Sequence, residues 1–251
     1  MTPADAQPLA GHAVLITGGA RRLGAAMAQA LHAVGANVVI HHLTSTKDAA
    51  SLVAALNATR ESSAIAVQAD LLDTTRLPQL VEATVGKFGR LDILINNASS
   101  FYPTPLGEIT ADRFDDLIGT NFRAPLFLAQ AAAAPLRERR GLILNMVDIH
   151  GMKPLKNYPA YSAAKAALIM LTKSLARELA PEVRVNGIAP GPVLWPADAD
   201  ATLQAEVISK TLLKRSGEPA DIGKAALYFA TLAPYVTGQV LAVDGGRSQG
   251  G

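Results

Sequence analysis

A chain of 251 residues, 49% of them hydrophobic and 18% charged, can bury a substantial core as one large domain or two small ones. It contains no cysteine, which excludes disulfides, thiolate chemistry and cysteine-bearing zinc sites and fits a reducing, cytoplasmic setting. Its 23 basic and 21 acidic residues leave a net charge of +2 with no long run of either sign, so neither nucleic acid nor an anionic membrane is expected as a partner.

The opening MTPADAQPLAGH lacks the basic and apolar regions of a signal peptide. No apolar stretch approaches the ~18–20 residues of a membrane span. AVLIT (13–17) reads as a buried strand, and 23–35 as a helix closed by Gly35. NVVIHH (37–42) is the next strand, followed by a helix through 47–60. AIAVQA (64–69) is a third strand, and a helix near 75–88 leads to LDILIN (91–96). Two helical segments cover roughly 112–139, GLILNMV (141–147) is strand five, and a long helix over 161–180 stops at Pro181. VRVNGIA (183–189) and QVLAVDG (239–245) are the last strands. Near-continuous apolar strands, each followed by a helix, specify a parallel sheet covered on both faces. The expectation is an α/β fold with one doubly wound Rossmann-type domain of about seven strands over 1–251. The Pro-rich segment 190–218, with the lone Trp195, is expected to be an insertion covering the substrate.

Strand one runs directly into TGGARRLG (17–24) and opens the first helix. A glycine-rich turn at that place lets backbone N–H groups and the helix N-terminus approach a pyrophosphate closely. Tight βα turns need glycine in any case, so the placement after strand one carries the cofactor reading. NAD-binding folds of this kind end strand two in an acid that holds the adenosine ribose. Here that region is HHLTS (41–45), with no acid before Asp48, and Arg21 and Arg22 stand in the glycine turn. Guanidinium groups there suit a 2′-phosphate or the pyrophosphate, which favours NADP(H); the alternative is that both are merely solvated.

Tyr161 and Lys165, in YSAAK, are spaced i, i+4 and share one helix face. A nearby ammonium stabilises a phenolate, so Tyr161 is expected to have a lowered pKa and to act as an acid near neutral pH. Lys165 could also hold a ribose hydroxyl. His41, His42 and His150 lack metal-ligand spacing and read as hydrogen-bonding loop residues; no metal is expected.

Over essentially its whole length the chain resembles the short-chain dehydrogenase/reductases. TGGARRLG, NNA (96–98), Asn121, YSAAK, PG (190–191) and VDGG (243–246) fall in the family's order. That resemblance implies Asp70 and Leu71 near the adenine, Asn97 and Ala98 along the cofactor, and Asn121 in the proton relay. Gly18, Leu23, Gly24, His41, Thr44, Ser45, Ser99, Tyr161, Lys165, Pro190 and Gly191 complete the implied cofactor set with Arg21 and Arg22. The family's usual glycine at the sixth position of TGxxxGxG is Arg22, and its usual catalytic serine, thirteen residues before the tyrosine, is Asp148. Those departures, with NNASSFYPTPL (96–106) and APGPVLWP (189–196), resemble the pteridine reductases within the family. One position differs from them: the arginine they often carry before the serine of the loop after strand two is Thr44 here. The pteridine reductase resemblance implies that Phe101 stacks on a pterin opposite the nicotinamide, that Ser99 and Arg22 contact it, and that Asp148, Tyr161 and Lys165 form the catalytic set with Asn121. It also implies a homotetramer formed through the helices near 122–139 and 161–180.

Asp148 has its own chemical logic. A serine hydroxyl donates to the alkoxide that forms when a carbonyl receives hydride, whereas an ionised carboxylate is acceptor-only. A C=N ring instead needs a proton at nitrogen, and presents N–H and amino donors that a carboxylate binds. The competing reading is a structural aspartate in an ion pair or a turn cap. Phe101 is either a stacking face or core filler, and Trp195 either the pocket's far wall or an anchor for its loop. The function these residues point to is NADPH-dependent reduction of a pterin or dihydropteridine, with dihydrofolate included. The rivals are a general carbonyl or ketoacyl reductase, and a catalytically silent dinucleotide-binding module, against which the intact Tyr161/Lys165 pair argues.

Overall fold

Strand β1 (Ala13–Ile16) alternates between two cores: Val14 and Ile16 join one apolar cluster and Leu15 the other, all fully buried. The same alternation recurs in β2 (Asn37–His42), where Val38 and Ile40 face one side and Val39 the other. Burial on both faces is why these strands read as continuous apolar runs. In the computed structural model, which describes residues 7–195 and 200–250, β3 (Ala64–Gln68), β4 (Ile93–Asn96), β5 (Leu142–Met146), β6 (Arg184–Pro190) and β7 (Val240–Val243) complete a parallel sheet ordered β3-β2-β1-β4-β5-β6-β7. The start of the MTPADAQPLAGH stretch, Pro196 of APGPVLWP and residues 196–199 of the 190–218 segment lie outside the described residues.

One face is covered by α1 (Arg22–Ala33), α2 (Thr46–Thr59) and α8 (Pro219–Leu227), through Met27, Leu31, Leu52, Leu56 and Ile222. Helices α1 and α8 meet closely because Gly223 leaves no Cβ between them; one built there would lie 3.1 Å from Ala30 Cβ. The other face is covered by α3 (Leu77–Phe88), α5 (Ala124–Glu138) and α6 (Pro159–Glu178), through Leu77, Leu80, Leu128, Ala132 and Ala176. At the sheet end where β1 and β4 begin, the buried Asp92 carboxylate accepts from the Ala13 N–H at 2.8 Å and from Arg90 Nη2 at 2.6 Å. That carboxylate is paired on both oxygens, as a buried charge requires.

The two helical segments expected over roughly 112–139 are α4 (Ala111–Ile118) and α5, joined by a π-helical turn, Gly119–Arg123. Two local readings change. The segment 190–218 contains a helix of its own, α7 (Ala201–Ser209), with Asp200 capping its start by accepting from the Leu203 N–H at 2.7 Å. Strand five ends at Met146, so Asp148 stands beyond the strand, at the start of a short 3₁₀ turn over Ile149–Gly151.

Among the described residues no helix is long and apolar enough to cross a membrane.

Candidate active site

Between β1 and β4 the strand order reverses, and the crevice at the carboxyl ends of the strands is where such sheets bind ligands. A cavity of about 790 Å³ opens there. Every expected cofactor, substrate and catalytic residue lines it except Thr44, Ser45 and Asn121. Thr44 is exposed, and Ser45 begins α2 without a side-chain capping bond.

The glycine turn after β1 is a built cradle. Thr17 Oγ1 accepts from the backbone N–H of Asn97 at 2.9 Å and of Ala98 at 3.0 Å. In return Asn97 Nδ2 donates to the carbonyls of Thr17 at 2.9 Å and Gly18 at 3.0 Å. These four bonds clasp the turn to the end of β4. A Cβ at Gly24 would strike the Gly18 carbonyl and come within 2.7 Å of Asn97 Nδ2, so only glycine lets the helix start this close. Arg22 holds φ 53, the left-handed region that favours glycine, which accounts for the glycine usual at this position in the family that the sequence resembles. Both arginines of the turn are exposed, and Arg21 Nε donates to Asp48 Oδ2 at 2.7 Å. An exposed pair of this kind is weak and exchangeable. The cradle, two cations and a second strand ending without an acid fit a phosphorylated dinucleotide.

His41 supports the cradle from beneath and is a strand residue rather than a loop residue. Its Nδ1 accepts from the Gly18 N–H at 3.1 Å and its Nε2 bonds the Ala69 carbonyl at 3.0 Å, which places the proton on Nε2. Burial pulls its pKa down to about 4. With both ring nitrogens engaged by backbone, His41 shapes the glycine turn while also lining the cavity. His42 is likewise in β2 and buried, with no partner for Nδ1.

On the opposite wall, Asp148 Oδ2 accepts from the Tyr161 hydroxyl at 2.6 Å and Oδ1 from the His150 N–H at 2.8 Å. The long helix α6 begins at Pro159, which suits a first helical position, and so fixes Tyr161 and Lys165 one turn apart. The expected lowering of the Tyr161 pKa is reversed: burial, then the Asp148 charge and hydrogen bond, push it well above 10, with Ser99 pulling the other way. The reason is that Lys165 does not touch the phenol oxygen. Its Nζ donates to the Met146 carbonyl at 2.9 Å and lies 5.7 Å from the Tyr161 ring centre. Burial lowers Lys165 to about 8, against a raising influence of Asp148.

Asn121 lies in the π turn, fully buried and back from the cavity. Its Oδ1 accepts from the Ser99 hydroxyl at 2.7 Å, while its Nδ2 donates to the carbonyls of Ser100 and Leu117, both at 2.9 Å. It therefore reaches the cavity through Ser99. Phe101 is 46% exposed, which rules out core filler. It stacks on Tyr158 at 4.7 Å and 17°, and meets Tyr161 edge-on at 4.8 Å. Trp195 forms part of the cavity wall, with Leu194 and Val207 of α7.

Sequence reasoning missed Tyr158, Arg247 and the Ser100–Asp116–Tyr102 group. Asp116 accepts from Ser100 Oγ at 3.2 Å and from the Tyr102 hydroxyl at 2.8 Å. Burial, then Asp116, push Tyr102 up to about 12. Asp116 falls on the same helix as Asn121 one turn earlier, a spacing that could have pointed to it; Arg247 has no signal beyond its closeness to VDGG.

Residues 18–248 match the family model described as enoyl-(acyl carrier protein) reductase. Pteridine reductase 1 of Leishmania tarentolae is 39% identical, the match covering 99% of both chains. A 3-oxoacyl-[acyl-carrier-protein] reductase of Synechocystis sp. is 36% identical over 95% of this chain and 97% of that one. Among solved structures, a blue fluorescent protein from a metagenomic library in complex with NADPH superposes with a TM-score of 0.89 at 34% identity, covering 96% of this chain and 99% of that one.

Proposed function

The chain belongs to the short-chain dehydrogenase/reductase family of oxidoreductases, and from that premise we propose that it is an NADPH-dependent pteridine reductase. The observation that carries this reading is the carboxylate of Asp148, hydrogen-bonded to Tyr161 at 2.6 Å, in the place where a carbonyl reductase needs a hydroxyl donor.

Arg21 and Arg22 would hold the 2′-phosphate and pyrophosphate, and Lys165 a ribose hydroxyl. Held there, NADPH supplies the hydride for a ring carbon of the substrate. Phe101 offers an aromatic face, one side braced by Tyr158, against which a planar heterocycle packs. Asp148 accepts N–H and amino donors of that ring. Asp148 and Tyr161 share a proton across their short bond and deliver one to the nitrogen beside the reduced carbon, so that C=N becomes CH–NH. Ser99 and Asn121 lie behind Tyr161 as the route by which the proton is replaced. A carbonyl substrate fits poorly, because its developing alkoxide would face an acceptor.

The protein is further proposed to be a cytoplasmic homotetramer. Support comes from large apolar side chains left exposed on the two helices concerned, Phe127 of α5 (39%) and Met170 of α6 (63%). The segment 190–218 serves as the cover of the substrate.

The test of the function is NADPH oxidation with a dihydropterin against a simple β-keto ester. Turnover of the dihydropterin alone supports the proposal. Turnover of the keto ester alone makes the protein a carbonyl or ketoacyl reductase, and turnover of neither makes it a silent dinucleotide binder.

A further inference from the structure

Beyond β7 the chain turns back over the cavity on a fixed framework. Asp244 Oδ1 accepts from the Gly246 N–H at 2.9 Å and Oδ2 from the Ser248 N–H at 2.7 Å. Gly191 packs against that residue so tightly that a Cβ would lie 2.6 Å from Asp244 Cα. On one side the Leu213 N–H, past the end of α7, donates to the Gly245 carbonyl at 3.0 Å. On the other, Lys153 Nζ, from the loop that carries Asp148, donates to the Gly250 carbonyl at 2.9 Å. The tail thus spans the two walls of the substrate end and brings Arg247 into the cavity lining beside Trp195 and Val207.

Among the described residues the Arg247 guanidinium is uncommitted. None of the ion pairs or side-chain hydrogen bonds among the described residues involves it. The carboxylate that feels its charge, Glu206, is already paired with Lys210 at 2.5 Å. Other charges of the cavity have tasks: Arg21 and Arg22 stand at the glycine turn, Asp148 is bonded to Tyr161, Asp116 to Ser100 and Tyr102, Asp70 accepts from the Leu72 N–H, and Lys165 is buried on Met146. A half-buried guanidinium with no hydrogen-bonded partner among the described residues, lining a cavity, matches carboxylate or phosphate oxygens in its planar fork. Arg247 lines the same cavity as Phe101 and Asp148, so a substituent on a ring packed against those two side chains shares its space with the guanidinium.

We propose that Arg247 receives an anionic end of the pterin's C6 side chain, so that the preferred substrates are pterins ending in a carboxylate or phosphate rather than in a neutral alcohol. This rests on the pteridine reductase reading. The lone Trp195 lines the same cavity and reports binding without turnover. Protein loaded with NADP⁺ is titrated with 6-hydroxymethylpterin, its phosphate and folate, following Trp195 fluorescence in wild type, Arg247→Gln and Arg247→Lys.

Wild type should bind at least one anionic pterin about tenfold more tightly than the neutral one, the scale of one charge-assisted fork. Arg247→Gln should bring that ratio close to one, and Arg247→Lys should restore part of it. Which of the two ratios collapses, folate or phosphate, identifies the anion. Ratios that Arg247→Gln leaves in place overturn the role of Arg247 while the pterin reading stands. Failure of all three pterins to bind removes both.

Discussion

Replacing Asp148 by Asn keeps the shape of the side chain and removes its titratable proton. The carboxylate accepts two hydrogen bonds, from Tyr161 at 2.6 Å and from the His150 N–H at 2.8 Å. Asparagine retains one acceptor, which the His150 N–H takes, and turns an NH₂ toward the phenol. Exchanging two charge-assisted bonds for weaker ones costs ~2–3 kcal/mol at most, and no longer desolvating a half-buried charge offsets part of that. At ~2–4 °C per kcal/mol for a domain of this size, Tm should fall by less than ~10 °C. Pterin turnover should fall far more, by ~10²–10⁴, the scale of general acid catalysis. The pH profile adds a signature. Burial lowers Lys165 to about 8 while the Asp148 charge opposes that shift. Wild-type kcat should therefore decline as pH rises past about 8, and the variant's alkaline limb should lie lower. Asp148→Ser should also lose pterin reduction while gaining weak carbonyl reduction, since it restores a donor for an alkoxide. The assay is NADPH oxidation across pH, beside thermal melts of the same samples. A collapsed Tm with the surviving folded fraction turning over at the wild-type rate would mean that Asp148 holds the turn and not the proton.

Phe101→Ala should weaken pterin binding by ~0.5–1.5 kcal/mol plus lost apolar contact, with little change in Tm because the ring is half exposed; an unchanged pterin KM with a lower Tm would refute the stacking role. NADPH should be preferred to NADH at least tenfold if one or two charge-assisted bonds reach the 2′-phosphate. Asp48→Ala, by freeing Arg21 from an exposed pair of ~0–1 kcal/mol, should raise that preference up to ~5-fold, and kcat/KM ratios for the two cofactors decide it. His41 makes stability depend on pH. The unfolded chain takes a proton below 6.5 and the folded one only near 4, so stability present above 6.5 is lost as pH falls through that window. The loss amounts to ~1.4 kcal/mol per pH unit, up to ~3 kcal/mol in all, and urea titrations of wild type and His41→Asn should show a shallower slope in the variant. Equal slopes would show that His41 does not carry the effect.

The strands were legible because burial on both faces leaves an apolar run, and the glycine turn because its spacing is local. What the sequence hid is what depends on contacts through space. Tyr161 and Lys165 are visible as an i, i+4 pair, but not that Lys165 bonds the Met146 carbonyl while Asp148 takes the phenol proton, so the pKa direction came out reversed. His41 reads as a loop histidine until its two nitrogens are found on Gly18 and Ala69. The π turn at Gly119–Arg123 has no periodic signature at five residues, and it sets Asn121 back from the cavity. Thr44 and Ser45 sit at the expected place in the chain, between β2 and α2, yet outside the cavity lining.

The clasp between Thr17 and Asn97 joins residues 80 positions apart in the chain. Until β4 docks beside β1, after the whole excursion through β2 and β3, the glycine turn lacks this clasp and is held by His41 of β2. Pairing over such separations is slow, since loop closure must be met before any contact forms. A partly folded chain therefore has an incomplete cofactor site, missing the β4 half of the cradle. NADPH would discriminate fully between the finished sheet and everything before it, adding ~2.7 kcal/mol to the native state alone at a hundredfold excess over Kd. Contacts absent from the folding transition state act on unfolding and leave the rate of folding alone. The supply of reduced cofactor would in this way set the lifetime of the folded protein as well as its turnover, and depletion would be felt first as a shorter half-life.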